Sequence, residues 1–196
     1  MLVERLPVAP PASLGRVLDA AEVCLARHGL SKTTLTDIAR EMGVVPSTVY
    51  RKVGSVENAA VLLAAREAAA LLETLPEVLA EQRGARAITV LLAEAIETFA
   101  RHPVFTKLLS DDLEVVSRLV IRRFDELNER AAELSAPFLE AAMEAGAIRR
   151  QDPLALAHWL VRVAGIALLS PPPGGLRDAL DALLLPMLEP QGRTGR

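Results

Sequence analysis

Leu14, Leu18, Ala21 and Leu25 follow one another at steps of four, three and four, and Val17 and Cys24 widen the same face. This spacing predicts an amphipathic helix capped by Ser13, running to about His28 and stopped by Gly29. Leu35, Ile38, Ala39 and Met42 repeat the pattern over a shorter span. Thr34 stands at its start as an N-cap with Asp37 three residues on, close to a capping box. Gly43 ends it, since glycine takes positive φ at no steric cost. Pro46, tolerated in a first helical turn, opens a third short helix over Pro46–Lys52, with Val49 turned inward against Ile38. Two short helices around a tight turn, braced by a longer first helix, predict a helix-turn-helix.

Beyond Val53-Gly54-Ser55 the apolar content rises. Ser55 caps a predicted helix from Val56 to about Thr74, wholly apolar over Ala59–Ala65, as suits a link between a small N-terminal domain and a larger body. Residues 76–83 carry little pattern. Arg86–Arg101 reads as a long helix with Ile88, Leu91, Leu92, Ala95, Ile96 and Phe99 inward, and Pro103 begins a short one through Leu109. From Ser110-Asp111-Asp112 a long segment places Leu113, Val116, Leu119, Val120 and Phe124 at core spacing. It continues through Leu127, Leu134, Phe138, Ala142 and Ala145 to Gly146, with a break or kink expected near Pro137. Asp152-Pro153 starts a helix over Leu154–Leu169, apolar around much of its circumference. The run Ser170–Gly175 breaks it, and 176–189 forms the last helix, with Pro186 kinking its end.

The expected architecture is all-α, with about nine helices. A flexible arm spans 1–12, a helix-turn-helix domain 13–55, a larger helical domain 56–190 and a polar tail 191–196. The 196-residue length suits one large or two small domains, and 51% apolar residues with only 3% aromatics favour helices packed through aliphatic side chains. The net charge of -3 excludes a generic polyanion binder. Residues 1–60 nevertheless carry seven Lys/Arg against six Asp/Glu, and the remainder fifteen against nineteen. The mild asymmetry fits a DNA-binding end on an acidic body, with locally placed cations.

Candidate chemistry outside the helix-turn-helix is sparse. Cys24 stands alone, which excludes an intramolecular disulfide, and its place in the first apolar repeat favours a small buried hydrophobe. His28, His102 and His158 lie far apart with no metal-like partner at close spacing, so no metal site is expected. Phosphate-cradling loops, nucleophile elbows and dinucleotide fingerprints are missing. The chain therefore reads as no enzyme and calls for no cofactor. It shows neither a signal-peptide pattern nor an apolar run of spanning length, so a cytoplasmic location and no membrane partner are expected.

Side-chain chemistry along the third helix points to DNA. Ser47 and Thr48 face the major groove, where hydroxyls pair with several base edges and the Thr methyl meets thymine. Tyr50 and Lys52 suit phosphates, which fix register. Arg51 either reads guanine bidentately or lies on the backbone. Thr34 offers a hydroxyl and helix N-terminal amides to a phosphate.

The string from Thr33-Thr34 through Asp37-Ile38-Ala39 and Gly43-Val44 to Thr48-Val49-Tyr50, with Leu18, Ala20-Ala21 and Gly29 ahead of it, resembles the DNA-binding domain of the TetR family of bacterial transcriptional regulators over residues 16–57. The resemblance implies a homodimer on a semi-palindromic operator, usually a repressor, released when a small molecule enters the body and changes the separation of the reading helices. Thr34, Ser47, Thr48, Tyr50 and Lys52 inherit DNA-contacting roles from it; Pro46 and Arg51 complete the candidate set. The sequence departs from the family at Val56, where a phosphate-contacting Lys is usual, at Val53, where an aromatic is common, and at Val45, where the reading helix is often capped by a polar residue. These departures thin the usual contacts, and the alternative is a helical homodimeric interaction protein that keeps the fold and has lost DNA binding.

Two expectations concern the body. Leu91, Ala95, Phe99, Phe105, Phe124, Trp159 and Val163 either line an apolar effector cavity or form plain core; the few polar inward residues favour an apolar ligand. The two apolar C-terminal helices need covering, by a monomer's own fold or by a symmetry mate. The family resemblance implies the second, with Leu156, Leu160, Ala167, Leu176, Leu180, Leu183 and Leu184 as the interface.

Overall fold

The computed structural model describes residues 10–74 and 82–190. Most of the expected arm, the tail 191–196 and nearly all of the weakly patterned 76–83 lie outside these residues. Among the described residues there are nine α-helices: α1 Gly15–His28, α2 Leu35–Met42, α3 Pro46–Val53, α4 Val56–Glu73, α5 Ala85–Arg101, α6 Pro103–Asp111, α7 Leu113–Glu144, α8 Pro153–Leu169 and α9 Leu176–Leu188. A single 3-10 turn over Ala12–Leu14 precedes α1. The fold is all-α, as the periodicities require.

Most caps match the sequence signals. Asn58 N–H donates to Ser55 Oγ at 3.1 Å at the start of α4, and Ala155 N–H donates to Asp152 Oδ1 at 2.9 Å at the start of α8, with Pro153 in the first turn. Ser13 is a correction. It sits inside the 3-10 turn, and Leu14, with no side-chain cap bond, occupies the N-cap of α1. Of the break or kink expected near Pro137, the break does not occur: α7 is one helix from Leu113 to Glu144. Just ahead of the proline, the Ser135 hydroxyl donates to the Ala131 carbonyl at 2.6 Å. The proline removes one N–H donor, which this helix tolerates.

The chain divides into two compact units, and none of the three points at which it passes from one to the other falls at 55/56. The first comprises Met1–Ala70 with Phe99–Phe124, the second Leu71–Thr98 with Asp125–Arg196. The core of the first joins Val17, Leu18, Ala21 and Leu25 of α1 to Ile38, Ala39, Val49 and Val53 of the next two helices, and to Leu62, Leu63, Val104 and Leu108. Three helices of this size bury too little by themselves to hold α3 rigidly, so α4, α6 and the start of α7 complete the core. The second unit packs Ala93 and Ile96 of α5 with Leu139 and Met143 of α7, Leu156 and Leu160 of α8, and Leu180, Leu184 and Leu188 of α9.

Candidate nucleic-acid interface

The α2–turn–α3 geometry is fixed at each joint. Thr34 has extended backbone and closes a capping box: Asp37 N–H donates to Thr34 Oγ1 at 3.2 Å, and Thr34 N–H donates to Asp37 Oδ2 at 3.0 Å. The Thr34 hydroxyl also donates to Oδ2, at 2.6 Å, and Arg40 donates to Oδ1 at 3.0 Å. These bonds, the Thr34 hydroxyl's first, hold the Asp37 carboxyl below the usual carboxylate range. Gly43, at φ 68° and ψ 36°, donates its N–H to the carbonyls of Ala39 and Arg40, the left-handed termination only glycine adopts without strain. Buried Thr33 ties the preceding turn, its hydroxyl donating to the Gly29 carbonyl at 2.6 Å.

Val49 and Val53, 0% and 2% exposed, are the inner edge of α3. Ser47 and Arg51 stand four residues apart on the outer ridge, with Tyr50 beside them, and all three are exposed. Pro46 is exposed at the first helical position, and Thr48 is half-buried. Arg51 has no ion pair among the described residues. Lys52 differs: its Nζ donates to the Ser13 carbonyl at 2.8 Å, clipping α3 to the turn before α1. Thr34 likewise directs both its hydroxyl and its N–H at Asp37. The structure therefore brings Pro46, Ser47, Tyr50 and Arg51 together as a free surface, while both donors of Thr34, and one of the three on the exposed Lys52 ammonium, already have internal acceptors.

Two supports of this surface carry no local sequence signal. Asp112, between α6 and α7, accepts the Leu30 N–H at 2.7 Å. Ser31 and Leu30 together hold its carboxyl below the usual range, the Ser31 hydroxyl contributing most. Arg66 of α4 reaches back to α1, with its guanidinium 2.7 Å from Asp19 Oδ1 and 2.6 Å from Glu22 Oε2, and it also bonds Glu67 at 3.3 Å. His102 stands against the same carboxylates, Nε2 lying 3.5 Å from Glu22. Glu22, Glu67 and His102 have metal-like proximity. However, His102 Nδ1 accepts the Val104 N–H, which assigns the ring proton to Nε2, the nitrogen facing the carboxylates. With Arg66 already countering the acids, the donor set suits an ion-pair knot better than a metal.

In the second unit, Trp159 is 66% exposed and lines an open cleft of about 540 Å³ with Asp125, Asn128, Glu129, Ala155, His158 and Arg162. Most of the lining side chains are polar or charged, but the larger part of the lining surface is apolar. Asn128, fully buried, satisfies its amide when the nitrogen faces His158 Nδ1 at 2.9 Å and the oxygen faces Arg162. The Arg162 guanidinium lies 5.9 Å from the Trp159 ring centroid. Leu91, Ala95 and Val163 are half-buried in this unit, whereas Phe99, Phe105 and Phe124 are half-buried in the first, where the Phe99 and Phe105 rings pack at 4.9 Å. The seven expected cavity residues thus divide between the two units.

Most of the expected interface set faces inward within the protomer. Leu156, Leu160, Ala167, Leu180 and Leu184 are buried within the protomer, at 8% exposure or less, and so offer little surface to a partner. Leu176 is half-buried, and of that set Leu183 alone is exposed. The outward apolar residues of α8 and α9 are Leu154, Trp159, Ile166, Leu169, Leu183 and Met187. Both helices are apolar on more than one side, so periodicity could not choose the face.

Among the described residues no helix is long and apolar enough to cross a membrane. Residues 17–55 match the family model described as bacterial regulatory proteins, tetR family. An uncharacterized HTH-type transcriptional regulator of Mycobacterium tuberculosis is 24% identical over 170 residues, covering 87% of this chain and 84% of that protein. Among solved structures, the TetR family repressor AlkX from Dietzia sp. strain DQ12-45-1b aligns with TM-score 0.67 and 21% identity, covering 88% of this chain and 91% of that one. The R. erythropolis repressor QsdR aligns with TM-score 0.67 and 19% identity, covering 94% and 100%.

Proposed function

Because the chain belongs to the TetR family of bacterial transcriptional regulators, we propose that it is a cytoplasmic homodimeric repressor, released from a two-fold operator by a small, apolar ligand. The comparisons support a DNA-binding transcriptional regulator rather than an enzyme; the operator, the repressor role, the ligand, the dimer and the cytoplasmic location are proposed. The observation that carries the reading is the free surface of α3, where Ser47, Tyr50 and Arg51 stand exposed on a helix locked from behind by Val49 and Val53.

Roles follow from that surface. Arg51, on the outer ridge and without an ion pair among the described residues, suits bidentate pairing with guanine. Ser47 and Thr48 suit base edges, Tyr50 a flanking phosphate, and Pro46 close apolar approach. Thr34 contacts phosphate through its donors only by exchanging their bonds to Asp37, so its contribution is smaller than the family pattern implies, whereas Lys52 keeps two ammonium donors for phosphate beside its bond to Ser13. The domain assignment, with the reading head in 13–55 and ligand and dimer functions in 56–190, belongs to the same proposal. Outward residues of α8 and α9, centred on Ile166 and Leu183, are the dimer surface in this reading, because the inward leucines are already covered.

Titration of the full-length protein against duplex DNA from the promoter of its own gene tests the reading. We expect a sequence-selective complex that weakens steeply with salt, as phosphate contacts release counterions. A salt-insensitive or sequence-blind result would favour the interaction-protein alternative. Apolar and polar compounds added to the complex then test the ligand: release by the first class alone is the expected outcome.

A further inference from the structure

Val45 is the N-cap of α3, with φ -76° and ψ 146°, and its side chain makes no cap bond. It is 62% exposed. An N-cap position favours Ser, Thr, Asp or Asn, whose oxygen satisfies a first-turn amide, and valine is among the poorest choices there. Val45 therefore neither caps the helix nor contributes much to the core. It stands at the N-terminal end of the reading helix, the end that helix-turn-helix proteins bring to base edges. Its sequence neighbours Pro46 and Ser47 are exposed with it.

The chemistry of an isopropyl group narrows its target. It offers no donor or acceptor, so it gains nothing from phosphates or from the polar edges of guanine, adenine and cytosine. The one apolar group on the major-groove edge of a base pair is the 5-methyl of thymine. Pro46, with no N–H, adds no competing donor beside it. Resting on the DNA-binding role proposed above, we infer that Val45 is a specificity-determining residue that packs against the 5-methyl of a thymine in each operator half-site.

The test begins with selection of an operator from a randomised duplex pool by the full-length protein. If no sequence is enriched, the DNA-binding reading fails, and this inference falls with it. With an operator in hand, each thymine is replaced in turn by deoxyuridine, which removes only the methyl group. The expected result is one thymine per half-site at which the loss weakens wild-type binding about fourfold, the equivalent of roughly one methylene-sized contact. Val45→Ala should bind the thymine and deoxyuridine operators equally, and its melting temperature serves as the folding control. Wild-type protein indifferent to demethylation at every thymine would overturn the inference while leaving the DNA-binding reading intact. Val45→Ala that keeps the wild-type ratio would do the same.

Discussion

The carboxylate of Asp112 accepts the backbone N–H of Leu30 across 82 residues of sequence. The bond joins the α6–α7 junction to the turn between α1 and α2, and it explains the residue before it. Gly29 has φ 77° and ψ -179°, and a Cβ there would fall on Asp112 Oδ2. Gly29→Ala is expected to destabilise the protein by about 1–3 kcal/mol, from a backbone region open essentially to glycine alone. Thermal melting measures it.

The same carboxyl sets a pH dependence. Its folded pKa lies below the ordinary aspartate value, so its stabilising effect is complete above that ordinary value. The effect is lost as pH falls through the depressed folded pKa. Asp112→Asn should therefore melt below wild type at pH 7, and the gap should narrow in acid. A gap of constant size from pH 7 down to pH 3 would show that the carboxylate charge is irrelevant.

Val45 separates folding from reading. Val45→Ser supplies the missing cap and should stabilise α3 by about 1 kcal/mol. The same variant should lose selectivity for operator over random DNA. Paired melting and competition binding check both signs.

The two sides of α8 should respond differently to substitution. Ile166→Glu, on the outward side, is expected to yield a folded monomer by analytical ultracentrifugation. Leu160→Ala, 7% exposed in the wild type, should cost about 2–4 kcal/mol and leave the association state unchanged in the folded fraction. If Ile166→Glu remains dimeric, the proposed face is wrong.

Arg66 holds three carboxylates on α1 and α4. Arg66→Met leaves them facing one another beside His102 and should destabilise by about 1–3 kcal/mol, the range of charge-assisted hydrogen bonds. Added salt should recover part of the loss by screening the acids.

Local signals in the sequence were sufficient for α2 and α3. Thr34 with Asp37, Gly43 and Pro46 are caps and stops whose chemistry acts within four residues, and each does in the structure what its type and spacing imply. The body was legible as helices but not as faces. In α8, Leu156 and Leu160 point inward while Trp159 and Ile166 point outward, and all four are apolar, so no contrast in polarity reveals the direction. Long-range partners left no trace at all. Asp112 with Leu30, Arg66 with Asp19 and Lys52 with Ser13 are joined only by folding. Ser13 misled for a related reason: it is a good cap residue one position too early, and its carbonyl serves Lys52 instead.

Only Val49 and Val53 of the eight residues of α3 are buried. Pro46, Ser47, Tyr50 and Arg51, all exposed, can change with little cost to packing, whereas α8 has few positions free of apolar duty. On the proposed DNA-binding role, then, operator preference can drift readily across evolutionary time, one exposed residue at a time. The surfaces that hold the body together change slowly, and a new DNA preference can arise on an unchanged scaffold.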